Sequence, residues 1–94
     1  MKIYTKREAW HLFTRVLIDE LVLAPEQVVE TARFDEDLDA DSLDFVETIM
    51  ALQEAFDIDI DETARGQFTT NPDLATVGGA FDLVCRHLNI LQFV

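Results

Sequence analysis

Residues 37–56 read Asp37-Leu38-Asp39-Ala40-Asp41-Ser42-Leu43-Asp44-Phe45-Val46-Glu47-Thr48-Ile49-Met50-Ala51-Leu52-Gln53-Glu54-Ala55-Phe56. Asp41 is a good N-cap, because its carboxylate accepts from the free amides of a first turn filled by Ser42, Leu43 and Asp44. Phe45, Ile49, Leu52 and Phe56 then recur at i, i+4, i+7 and i+11, which is one face of a helix running from 42 to about 56. Leu43, Val46 and Met50, at i, i+3 and i+7, form a second apolar stripe on another side. A helix in a small domain rarely buries two faces. Either the second stripe packs beneath the preceding connection, or it stays exposed as a docking surface. Met50 suits the second alternative, since a flexible thioether tolerates varied partners.

The flanking sequence is helical too. Thr5-Lys6-Arg7-Glu8 fits a capping box that opens a first helix over about 6–23. Ala9, Phe13, Val16 or Leu17, and Leu21 share its inner face, and Pro25 limits it by disfavouring a helical Ala24. Residues 24–40 form a long connection with a turn at Glu26–Glu30, anchored by Phe34 and Leu38. Loops of this length are often functional. Ile58 and Ile60 alternate with Asp57, Asp59 and Asp61 in a short extended link. Asp61 caps a short third helix over 61–66, and Asn71-Pro72-Asp73 marks a turn. Thr76 caps a last helix over about 77–89, with Val77, Phe81, Val84 and Leu88 on one face. The Gly78-Gly79 pair weakens its start and points to close contact with another helix. With 3 Gly and 2 Pro, an all-β design rich in tight turns is excluded. The expectation is an all-α, small four-helix bundle with a long loop between helices one and two. It forms a single domain over 1–94 and ends in an apolar tail, 90–94, that packs over the bundle or marks a partner contact.

Charge narrows the function. The 94 residues hold 19 Asp+Glu against 7 Lys+Arg, a formal net charge of -12. Nucleic-acid binding needs a cationic face and is excluded as the main role. No Lys or Arg occurs between Arg33 and Arg65, a window that holds 12 of the 19 acids and surrounds the second apolar stripe. An apolar centre with an acidic rim suits partners with basic surfaces. Asp35–Asp41 and Asp57–Asp61 lack the glycine and terminal bidentate glutamate of a calcium loop, so no metal site is expected. One cysteine, Cys85, makes no internal disulfide. No apolar run reaches the ~18 residues of a membrane span, and residues 1–6 lack a signal-peptide core, so a cytoplasmic monomer is expected.

Ser42 is not placed as a nucleophile. It has carboxylates around it, no G-x-S-x-G elbow, and its histidines, His11 and His87, lie on other helices. A helix N-terminus does suit an attached phosphate. Asp37-Leu38-Asp39-Ala40-Asp41-Ser42-Leu43-Asp44 resembles the signature of the acyl carrier proteins. The similarity continues through Val46-Glu47, Met50-Ala51-Leu52 and Glu54-Ala55-Phe56-Asp57, and more loosely to Ala80-Phe81-Asp82-Leu83-Val84, covering about residues 28–90. The resemblance implies a carrier that is not an enzyme. In the family, a phosphopantetheinyl transferase attaches 4′-phosphopantetheine from coenzyme A to the serine that is Ser42 here, and the arm holds acyl groups as thioesters. Partner enzymes with basic and apolar patches would dock on Asp41, Leu43, Asp44, Val46, Glu47, Met50 and Glu54. An acyl chain entering the bundle would meet Phe34, Ile49, Leu52, Ile60 and Phe68. Fatty acid, specialised lipid and polyketide pathways stay open, as do an aminoacyl or peptidyl carrier and a structural or regulatory subunit of the same fold. The chain departs from the family in three places. Asp39 replaces the usual glycine, Gln53 stands where an acid is common, and about six extra residues fall within 65–75.

Overall fold

The computed structural model describes residues 4–60 and 76–88. Within them the chain forms three α-helices, α1 (Lys6–Leu21), α2 (Ser42–Phe56) and α3 (Val77–Leu88), with a 3₁₀ turn at Pro25–Gln27. The architecture is all-α. Among the described residues the β-type pairing is one isolated antiparallel bridge between Arg33 and Thr76. The helix expected over 61–66 lies outside the described residues, as do Phe68, the 65–75 segment and the tail 90–94.

The cap of α1 is the expected box: the Glu8 amide donates to Thr5 Oγ1 (3.1 Å) and the Thr5 amide to Glu8 Oε1 (3.0 Å). The helix stops at Leu21, two residues short of expectation. Val22 turns into the left-handed region at φ 53°, and the Val22 and Leu23 amides both reach the Ile18 carbonyl, so the chain closes its own last turn before Pro25 acts.

Ala9, Phe13 and Leu17 of α1 are buried against Ile49, Leu52 and Phe56 of α2 and Val77, Ala80, Phe81, Leu83 and Val84 of α3. Of the two alternatives Val16 and Leu17, Leu17 is the fully buried one. Each such Phe or Leu contributes about 1.5–3 kcal/mol by leaving water. Phe81 lies 5.0 Å from the Trp10 ring and 5.3 Å from that of Phe13, which joins α3 to α1. Tyr4, just before α1, meets Phe56, the last residue of α2, edge-on at 5.3 Å. The two helices therefore run antiparallel, and the end of α1 lies at the pole where α2 begins.

The connection between α1 and α2 belongs to the core. Val28, Ala32, Phe34 and Leu38 are buried, the last two as expected. Backbone bonds fasten it to α3: the Val77 amide donates to Ala32 O and the Gly78 amide to Glu30 O, both at 2.9 Å. A Cβ on Gly78 would sit 3.0 Å from that same Glu30 oxygen. The close contact expected of the glycine pair is thus made with the loop backbone, not with another helix. Thr76 caps α3 through Oγ1, which accepts from the Gly79 amide at 3.1 Å.

Candidate functional site: the N-terminus of α2

A short knot of hydrogen bonds aims the chain into α2. The Asp37 and Leu38 amides donate to the Arg33 carbonyl (3.0 Å each), the Arg33 amide to Asp37 Oδ2 (2.8 Å), and the Ala40 amide to Phe34 O (2.8 Å). Arg33 also pairs with Asp35 at 3.2 Å and Glu36 at 3.7 Å. The Arg33 guanidinium, followed by the Glu36 amide, holds the Asp35 carboxyl below its usual range. The reversal falls on Asp39 at φ 54°, where glycine is usual in the family. Aspartate enters this region more readily than most residues, because its short polar side chain bonds locally.

Asp41 follows in extended geometry and caps α2 reciprocally with Asp44. The Asp44 amide donates to Asp41 Oδ1 (2.8 Å), and the Asp41 amide to Asp44 Oδ2 (3.1 Å). The first intrahelical bond runs from the Phe45 amide to Asp41 O at 3.0 Å. Ser42 is the first residue of the helix. By helix geometry the amides of 42 and 43 have no carbonyl four residues back inside the helix, which leaves the partial positive end available to an anion. Asp41 and Leu43 on either side are exposed, Leu43 to 64%. An anion at this helix start would meet those amides.

The two stripes of α2 part as follows. Ile49, Leu52 and Phe56 are buried, and Phe45 is half-buried with its ring 5.4 Å from Phe34. Leu43, Val46 and Met50 are all about half exposed or more, so the second stripe does not pack beneath the connection. Glu47 and Glu54 are exposed beside it, while Asp44 is half-buried and engaged in the cap. Of the expected cavity residues, Phe34, Ile49, Leu52 and Ile60 lie in one buried cluster, and Phe68 is outside the described residues.

Two residues of this region escape the sequence patterns. Thr48 is 1% exposed, and its hydroxyl donates to the Asp44 carbonyl at 2.8 Å, which satisfies a polar group buried among apolar neighbours. Gln53 governs the far end of α2. Its carbonyl accepts from the Asp57 and Ile58 amides, and its side-chain oxygen accepts from the Ile60 amide at 2.8 Å. The only signal for Gln53 was its departure from the family's usual acid. His87 Nδ1 lies 2.9 Å from the Leu83 carbonyl oxygen. Cys85 is buried, and burial followed by the Asp82 charge pushes its thiol up, which keeps it in the unreactive form. Among the described residues no group of His, Cys, Asp and Glu is arranged to hold a metal, and no helix is long and apolar enough to cross a membrane.

The start of α2 is thus a reciprocally capped helix N-terminus beside an exposed apolar stripe with acidic neighbours. The family described as "Phosphopantetheine attachment site" matches residues 11–78. The chain is 44% identical over 70 residues to an acyl carrier protein of Sulfurovum sp. (strain NBC37-1), covering 73% of this chain and 84% of that one. It is 48% identical over 64 residues to an acyl carrier protein of Wolinella succinogenes, covering 67% and 75%. The chain belongs to the acyl carrier protein family. Its members are carriers and not catalysts, and their attachment domain bears a covalent 4′-phosphopantetheine. They work with phosphopantetheinyl transferase and acyl-handling enzymes.

Proposed function

We propose that Ser42 bears the 4′-phosphopantetheine arm and that the protein presents acyl thioesters on it to enzymes of fatty acid, specialised lipid or polyketide synthesis. The observation that carries this reading is the place of Ser42 as first residue of the reciprocally capped α2, between exposed Asp41 and Leu43. When attached, the arm supplies a terminal thiol that holds cargo as a thioester. The chain's own residues do the rest. Asp41 and Asp44 fix where the helix begins, and the helix end favours the phosphodiester. Leu43, Val46 and Met50 give partners an apolar contact, and Glu47 and Glu54 steer their basic surfaces toward it. Phe34, Ile49, Leu52, Ile60 and Phe68 are the residues proposed to meet an acyl chain that enters the bundle. The protein acts as a single domain over 1–94 and as a cytoplasmic monomer in this reading. The shared name of the two relatives favours acyl over aminoacyl cargo.

The test is intact mass after coexpression with a phosphopantetheinyl transferase. Wild type gains one phosphopantetheine and Ser42→Ala gains none while keeping its helical circular dichroism. A Ser42→Ala protein that still acquires the arm, mapped to another residue, ends the assignment.

A further inference from the structure

The end of α1 holds a residue that the fold alone does not account for. Val22 has φ 53°, in the left-handed region where a β-branched residue is a genuine outlier and glycine is favoured. Its side chain is 90% exposed, the most of any large apolar residue described. The left-handed turn itself closes the last turn of α1 on the Ile18 carbonyl, but valine is a costly residue for it and its side chain is left in water. Glycine would remove both costs.

The surroundings point to what contacts it. No Lys or Arg occurs between Arg15 and Arg33, whereas Asp19, Glu20, Glu26 and Glu30 do, all exposed. Val29, on the other side of the 3₁₀ turn, is 48% exposed. This corner therefore repeats the chemistry of the outer face of α2, an apolar centre with an acidic rim. Because α1 and α2 run antiparallel, it also lies at the pole where α2 begins with Ser42 and Leu43.

We propose that this corner is a second docking element, with Val22 as its apolar contact, for the basic-surfaced enzymes that read the α2 face. It rests on the Ser42 reading only for the choice of partner. A partner that reaches for residue 42 approaches this pole, and one with an apolar patch ringed by basic residues meets matching surfaces on α2 and on the corner. The strain at Val22 is then retained because the exposed side chain is used in complexes.

The probe is a phosphopantetheinyl transferase, with binding to the apo protein measured by calorimetry and arm attachment by mass. Val22→Gly is expected to raise the melting temperature while weakening binding about tenfold, the order of magnitude for losing one well-buried aliphatic contact. Val22→Ile, which keeps the contact, binds as wild type. Glu26→Lys slows association in low salt and leaves the melt unchanged. A Val22→Gly protein that binds and is modified within twofold of wild type overturns the proposal. So does a change in sedimentation showing that Val22 joins two copies of this chain. Failure of the Ser42 assignment reads differently: the transferase then adds no mass at residue 42 in any variant, Val22 included or not.

Discussion

Gly78→Ala sets two well-defined effects against each other. Alanine in a helix is favoured over glycine by up to about 1 kcal/mol. Against this, the new Cβ would lie 3.0 Å from the Glu30 carbonyl oxygen and 3.4 Å from Glu30 Cβ. The clashing atom is a backbone oxygen already held at 2.9 Å by the Gly78 amide, next to the Val77–Ala32 bond of equal length. Relief requires the Glu30 peptide to move outward, which weakens two hydrogen bonds of about 1 kcal/mol each. Overpacking of this kind typically costs about 1–3 kcal/mol. The loss outweighs the propensity gain, and Gly78→Ala is expected to destabilise by about 1–2 kcal/mol. For a chain of this size that is a fall in melting temperature of roughly 4–16 °C. Thermal and urea melts followed by circular dichroism measure it. Repeating the pair in a Glu30→Ala background gives the same loss, since the obstructing atom belongs to the backbone. A Gly78→Ala protein as stable as wild type, or more so, refutes the reasoning.

Three further outcomes are expected. Glu47→Lys slows association with a transferase at low salt and leaves the melt unchanged, whereas Asp44→Lys also lowers the melt because Asp44 closes the α2 cap; equal melts for the two variants count against the reciprocal cap. In the arm-bearing protein a thiol reagent at neutral pH labels the arm and spares Cys85, whose thiol is buried and pushed up, until urea is added; rapid labelling of Cys85 in the apo protein contradicts its burial. The Thr5 backbone amide, then its hydroxyl, hold the Glu8 carboxyl below its ordinary value. Its contribution to stability is thus present above the ordinary glutamate range and is lost as pH falls through the lowered folded value. An NMR titration in which Glu8 shows no downward displacement from an unfolded-peptide reference would remove that contribution.

Much of α2 was legible because its signals are local. Asp41 at the cap and the Phe45-Ile49-Leu52-Phe56 spacing place the helix at 42–56, and the structure begins and ends it there. Asp39 was marked only as a replacement for the family's usual glycine, and its φ of 54° gives that glycine its reason. What escaped depends on distant partners or on backbone geometry. Nothing in Gly78-Gly79 says that the neighbour is the Glu30 carbonyl, because that contact spans 48 positions of chain and involves no side-chain pattern. Val22 gives no turn signal, since valine is among the residues least suited to that conformation. The reciprocal bond from Asp41 to Asp44 had a readable spacing, but glutamate, not aspartate, is the usual partner at the third position of a capping box. Asp41 was therefore read as the cap, whereas the part of Asp44 in closing it was not.

The way the connection is fastened has a practical consequence for redesign. Its attachments to α3, and several to itself, run through peptide groups: Ala32 O to Val77, Glu30 O to Gly78, Phe34 O to Ala40, Arg33 O to Leu38. Its buried side chains are Val28, Ala32, Phe34 and Leu38, with Leu23 and Ala40 packed against the core beside them. Outward positions such as Glu26 and Thr31 are exposed. Their identity can be exchanged without withdrawing any of these backbone attachments. A library varied at those positions would retune which enzymes accept the carrier while the scaffold that orients residue 42 stays intact.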